Sequence, residues 1–188
     1  MDFLLVLGAY LVGSLLFGLL AGRLRGIDLA ERDVPGASGT FRQLGPAWGS
    51  LVALADILKG VLVGYLTTFT DSSWTVGLMG AALVAGHLWP IYFGFRGGGG
   101  IAPTLGFFLW LQPGLTLLSM AAALAVAGLY WRLYWRKLRR GWYPIPVGAV
   151  VGYLLGLLGL WGQPSFWALL TISALVAVRG LRMARAGR

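Results

Sequence analysis

Four places in this 188-residue chain carry residue types and spacings that can do chemistry. The first is Pro35-Gly36-Ala37-Ser38-Gly39-Thr40-Phe41-Arg42, where small residues, two hydroxyls and an arginine stand together. Such a stretch can fold as a nest of backbone N–H groups around an anion, with Ser38 beside it and Arg42 as a forked phosphate partner. It can equally be a flexible linker that carries a topology-setting arginine. The second is Arg96-Gly97-Gly98-Gly99-Gly100, followed by Thr104. Consecutive glycines permit close backbone approach to a ligand. A helix beginning near Ile101 or Thr104 would turn its N-terminus toward that loop and favour an anion. The plainer reading is a turn, although one glycine would suffice for it. Gly-Lys-Ser/Thr is missing, so this is not a nucleotide P-loop.

The third place is His87, within Gly86-His87-Leu88-Trp89-Pro90. It can serve as an acid–base group, or it can hydrogen-bond a carbonyl or an interfacial water. Tyr92 stands where a His-x4-Asp acyltransferase pattern would need its aspartate. The fourth is Asp56 with Lys59, spaced i, i+3 on one helix face. Each charge alone would cost about 2.5–3.5 kcal/mol at the centre of a bilayer. Paired and turned inward they neutralise each other, and they are either functional or a strut for their helix.

The elements that must position these groups are membrane helices. The chain is 58% hydrophobic and 11% charged, against about 25% charged in soluble domains. A soluble fold of this size could not hide that much apolar surface. Seven apolar segments, 3–22, 49–69, 74–93, 101–112, 114–131, 144–161 and 165–180, read as candidate spans. The fourth would rise only about 18 Å as a helix, so it must be tilted, re-entrant or shielded by protein. With seven spans, every Lys and Arg except Lys59 falls on one side, in 23–48, around Arg96, in 132–140 and from Arg179 to Arg188. The positive-inside rule then places the N-terminus outside and the C-terminus in the cytoplasm. The expected fold is therefore all-α, a single membrane-embedded domain over 1–188 forming a seven-helix bundle.

The net charge of +9 is thereby topological. It points to membrane lipid headgroups and not to nucleic acid. The absence of cysteine and the single histidine argue against disulfides, thiolate chemistry and a multi-histidine metal site. No metal or cofactor is expected. Two glycine series, Gly18/Gly22/Gly26 and Gly148/Gly152/Gly156, recur every four residues and suit close helix packing.

Taken in order, these pieces resemble a family. They are Ala9-Tyr10-Leu11-Val12-Gly13-Ser14, Gly26-Ile27-Asp28-Leu29, Gly36-Ala37-Ser38 with Arg42, Asp56-Ile57-Leu58-Lys59-Gly60, Gly86-His87-Leu88-Trp89-Pro90 and Phe93-Gly94-Phe95-Arg96-Gly97-Gly98. Together they resemble the bacterial acyl-phosphate-dependent glycerol-3-phosphate acyltransferases, the PlsY family. The resemblance implies an enzyme of the bacterial cytoplasmic membrane with its site on the cytoplasmic face. It implies transfer of a fatty acyl group from acyl phosphate to the 1-hydroxyl of glycerol 3-phosphate, giving lysophosphatidic acid and phosphate.

On that reading the substrate phosphates meet Ser38, Arg42, Arg96, Gly97, Gly98, Gly99, Gly100, Thr104 and Arg179, with Asp56, Lys59 and His87 in support. The chain departs from the family pattern in places. Gly99 stands for the lysine of Gly-Lys-Gly, Ser38 for a threonine and Gly39 for an asparagine. Arg179-Gly180-Leu181-Arg182-Met183 lacks the family's histidine and asparagine. Arginine cannot act as a base at neutral pH, so no catalytic side chain is assigned. The alternatives are an impaired homologue that binds lipid or a partner and, against the lack of any inverted repeat, a small transporter. The oligomeric state is not legible in the sequence.

Overall fold

The computed structural model describes residues 1–138 and 142–185, with Arg185 by its backbone alone. Arg139, Arg140 and Arg188, read above as part of the basic face, lie outside the described residues. Among the described residues every regular element is helical. Helices α1 (Asp2–Gly13) and α2 (Phe17–Leu24) form one interrupted span, and α3 (Leu29–Arg32) and α4 (Ala37–Leu44) lie in the loop that follows. Then come α5 (Pro46–Leu66), α6 (Ser73–Leu88), α7 (Ile101–Leu111) and α8 (Pro113–Tyr130). The chain continues through a π-turn to α9 (Arg136–Leu138), then α10 (Pro144–Gly159) and α11 (Ser165–Arg185). Five of these segments are long and apolar enough to cross a membrane: Asp2–Leu24, Pro46–Phe69, Ser73–Phe93, Pro113–Leu138 and Ser165–Ala184. Helices α7 and α10 are apolar but shorter.

The solvent-facing surface is apolar, as lipid requires. Leu51, Leu54, Leu58 and Leu62 on α5, and Leu117, Leu118 and Leu124 on α8, are all exposed. The interior holds Met79, Leu83, Val84 and Leu88 of α6 against Phe107 and Ile172. Small residues bring the helices together. Gly13 lies against the backbone of Leu83, and Gly86 against that of Tyr10, so α1 and α6 touch main chain to main chain. Gly60 and Gly106 do the same for α5 and α7. The short α7 is thus shielded along the face it turns to α5. Gly148 and Gly152 pack on Ala123 of α8. Gly18 and Gly22 contact the loop residues Pro35, Thr40, Ile27 and Leu29. Gly26 is no part of a helix stripe: it follows α2 and takes a left-handed turn at φ 69°.

The break in the first span has a specific cause. Between α1 and α2 the carbonyls of Gly13 and Leu15 leave the helical ladder and accept from Lys59 Nζ at 3.0 and 2.7 Å. In hydrocarbon, freed backbone groups need such a partner. Helix α6 ends just ahead of Pro90, which disfavours helical backbone at Trp89 and cannot donate.

Candidate active site

Cations gather at one end of the bundle. There Arg23 covers the Phe93 ring at 4.9 Å, and Arg25 faces Trp48 at 5.6 Å. At the other end the Asp2 carboxylate accepts from Thr75 Oγ1 at 2.7 Å, and the Gln112 side chain meets that of Gln163 at 3.3 Å.

The glycine loop lies at the cationic end, wedged between α6, α11 and the 23–45 loop. Gly94 and Phe95 turn the chain with φ of 58° and 61°, the second a strained value for a residue with a side chain. Gly98 N–H donates to the carbonyl of His87 at 3.0 Å. Arg179 of α11 donates from Nη2 to the Gly97 carbonyl at 2.6 Å and from Nε to the Gly98 carbonyl at 3.4 Å. With these carbonyls engaged, the loop turns into α7 at Gly100, whose φ of 84° makes it a left-handed N-cap. Helix α7 begins there, and its first N–H groups have no intrahelical acceptor. Thr104 donates its hydroxyl to the Gly100 carbonyl at 2.7 Å. It therefore seals the first turn and keeps only acceptor capacity for a ligand. Arg96 is exposed.

The serine–arginine loop comes close by another route. A Cβ built on Gly36 would lie 3.8 Å from the Gly98 Cα and 3.9 Å from the Gly99 N. The two stretches singled out in the sequence are therefore neighbours, joined at glycines on both sides. Thr40 is buried and donates to the Gly36 carbonyl at 2.9 Å, which anchors α4. Arg42 is held by neighbours in its own loop and by Tyr143. Its Nε donates to Asp33 Oδ2 at 2.8 Å, Nη2 pairs with Asp33 Oδ1, and Nη1 donates to Ser38 Oγ at 2.7 Å. Its plane also covers the Tyr143 ring at 4.2 Å.

Burial pushes the Asp33 carboxyl up. The hydrogen bonds from Arg42 and from Val34 N–H, with the charge of Arg42, outweigh it and hold the group below its usual 3.8. For Arg42, burial acts downward, and the bond to Asp33 reverses it and raises the guanidinium further. Asp33 and Tyr143 were not legible as site residues. They stand nine residues before and about a hundred after Arg42, and no local periodicity links them.

Behind the loop lies the ion pair. Lys59 Nζ is 2.9 Å from Asp56 Oδ1 and 2.9 Å from His87 Nδ1, and all three side chains are almost wholly buried. In front of the loop an apolar cavity of about 130 Å³ runs along α7 between α8 and α10, from Ile101 and Thr104 to Gln112. The N-terminal turn of α7 thus adjoins an apolar slot, an arrangement that suits a ligand with one anionic end and one hydrocarbon tail.

Comparison with known proteins agrees with this amphipathic geometry. The profile of the glycerol-3-phosphate acyltransferase family matches residues 3–183. The chain belongs to that family. Glycerol-3-phosphate acyltransferase 2 of Deinococcus radiodurans is 41% identical over 157 residues, covering 79% of this chain and 80% of its own. The enzyme of Aquifex aeolicus is 38% identical over 136 residues, 69% of each chain. A crystal structure of PlsY, described as an integral membrane glycerol 3-phosphate acyltransferase in its glycerol 3-phosphate form, superposes on all of this chain and on 93% of its own, with a TM-score of 0.82 and 28% identity. A second PlsY structure, in the lysophosphatidic acid form, gives a TM-score of 0.80. This family member is therefore a multi-pass protein of a bacterial membrane, helical throughout its regular elements among the described residues.

Proposed function

We propose that this chain transfers a fatty acyl group from acyl phosphate to the 1-hydroxyl of glycerol 3-phosphate, releasing lysophosphatidic acid and phosphate. The observation that carries the reading is the glycine loop, which meets Gly36 on one side and leads into α7, whose first residue Ile101 lines the apolar cavity, in a chain that matches the family over nearly its whole length. The acyl chain lies along α7 in the cavity. The phosphates lie at the loop, against the N-terminus of α7 and within reach of Arg42 and Arg96. Acyl phosphate is a mixed anhydride, so attack by the hydroxyl oxygen on the acyl carbon breaks the bond to phosphate directly. The arginines cannot take the proton, and the departing phosphate can. What the protein supplies is placement of two anionic substrates side by side and screening of their repulsion.

We further read the fold as seven spans, with α7 and α10 completing the five long ones. The N-terminus is outside and the site is on the cytoplasmic face of the inner membrane. Segregation of the cations to one end supports this. Reporter fusions after Asp71 and after Gln112 should read as periplasmic, and one after Lys137 as cytoplasmic. A cytoplasmic signal after Gln112 would make α7 re-entrant.

The function is tested by expressing the chain in a strain lacking its own glycerol-3-phosphate acyltransferase, and by assaying the purified protein with palmitoyl phosphate. Growth and labelled lysophosphatidic acid are expected. No rescue, together with no calorimetric binding of either substrate at millimolar concentration, would leave a non-catalytic, lipid-binding homologue as the better account.

A further inference from the structure

The buried trio Asp56, Lys59 and His87 has no task in the reaction as written above, yet it touches the glycine loop directly. The Lys59 ammonium has three protons and accepts nothing. It has four polar neighbours: the carbonyls of Gly13 and Leu15, His87 Nδ1 and Asp56 Oδ1. Asp56 Oδ1 makes no hydrogen bond of adequate geometry. The hydrogen bonds of Lys59 run to the two carbonyls and the imidazole, and the carboxylate at 2.9 Å completes the ion pair. Asp56 Oδ1 is 3.6 Å from His87 Nδ1, too far for a hydrogen bond. An ammonium 2.9 Å from a ring nitrogen requires that nitrogen to be unprotonated. Nδ1 accepts, so the ring proton resides on Nε2.

The other edge of the ring faces the loop. A Cβ on Gly98 would collide with His87 Nε2 and lie 3.2 Å from Cδ2 and Cε1. The same histidine takes the Gly98 N–H on its carbonyl at 3.0 Å. His87 thus seats Gly98 by main chain and by side chain, and Lys59 sets the angle of the ring. An apolar residue of equal length could fill the volume of Lys59, but it could not direct the tautomer. Resting on the reading of the loop as a phosphate seat, we infer that Lys59 is a positioning residue for the glycine loop, acting through His87. Its ammonium fixes the imidazole as the Nε2–H tautomer and holds it as the wall on which Gly98 is seated.

The chain has a single histidine, so protein labelled with [15N]histidine reports His87 alone. Wild-type protein should show one protonated nitrogen, Nε2, and one unprotonated nitrogen, Nδ1. Asp56→Asn/Lys59→Met removes both charges together, so neither charge is stranded, although the Gly13 and Leu15 carbonyls lose their donor. It should yield a mixture of tautomers and a KM for glycerol 3-phosphate about tenfold higher, with kcat changed less than about threefold. Asp56→Asn/Lys59→Gln keeps a donor facing Nδ1 and should retain the tautomer and most of the affinity. A wild-type proton on Nδ1, or on both nitrogens, overturns the inference. So does an Asp56→Asn/Lys59→Met protein with wild-type tautomer and KM. If that variant does not fold, the wild-type tautomer and the glutamine variant decide. A wild-type protein without turnover would sink the enzyme reading alone, because the imidazole signals and calorimetric binding of glycerol 3-phosphate need no catalysis.

Discussion

Gly99 offers the sharpest perturbation of the proposed phosphate seat. It stands where the related pattern carries a lysine, its φ is not in the left-handed region, and a Cβ built on it meets nothing within 4 Å. Its neighbours differ. A Cβ on Gly97 would collide with the carbonyls of His87 and Leu88, and one on Gly98 with the His87 ring. Gly99→Lys should therefore fold and present an ammonium beside the N-terminus of α7. A charge-assisted hydrogen bond to phosphate contributes about 1.5–3 kcal/mol, or roughly ten- to a hundredfold in affinity. Gly99 is half-buried, so screening by water and salt places the expected gain near the lower end, about tenfold. Calorimetric titration with glycerol 3-phosphate at low and high salt reads it directly, and the gain should shrink as salt rises. Gly99→Ala should bind like the wild type, while Gly98→Ala should lose about 1–3 kcal/mol of stability to overpacking. A folded Gly99→Lys protein that binds no more tightly at low salt, beside an unaltered Gly99→Ala, would mean that no substrate phosphate sits at residue 99.

Three further outcomes are expected. Asp33→Asn should lower stability by about 1–2 kcal/mol by breaking the fork to Arg42. Because the folded Asp33 carboxyl is held below its usual 3.8, the pair stabilises fully above that value and loses its contribution as pH falls through the lower folded value; thermal melts of the asparagine variant should lack this acid-side loss. Asp56→Ala leaves Lys59 buried alone and should cost about 3–5 kcal/mol in detergent, clearly more than Asp56→Ala/Lys59→Met; equal melting temperatures would argue against pairing. Ala149→Leu, on the α10 wall of the apolar cavity, should turn the preference toward shorter acyl phosphates by about tenfold, read as the ratio of kcat/KM for long and short chains; an unchanged ratio would move the acyl chain elsewhere.

Much of this protein is decided by composition along the chain. Apolar runs in a chain with so few charges can be stable only as helices in lipid, because each helix satisfies its own backbone. The helices found over Pro46–Leu66, Ser73–Leu88, Ile101–Leu111, Pro113–Tyr130, Pro144–Gly159 and Ser165–Arg185 follow the apolar runs read from the sequence closely. The i, i+3 spacing likewise made the pairing of Asp56 with Lys59 legible, since both ends lie on one helix. The glycine loop and the Gly36 loop could each be picked out by residue type.

What the sequence could not decide was which group each side chain would meet. Arg42 is held by Asp33 and Tyr143, Lys59 bridges the broken first span to His87, and Arg179 grips the carbonyls of Gly97 and Gly98. Each of these contacts joins groups with no periodic relation along the chain. The bridge from Lys59 to the first span and to His87 exists because Gly13, Gly86, Gly60 and Gly106 let α1, α6, α5 and α7 approach to backbone contact. Helix α11, seated on α6 at Gly77 and Gly80, carries Arg179 to the same loop. Spacing along a helix determines what shares a face. Only the packing of faces, set by where side chains are missing, determines what shares a site.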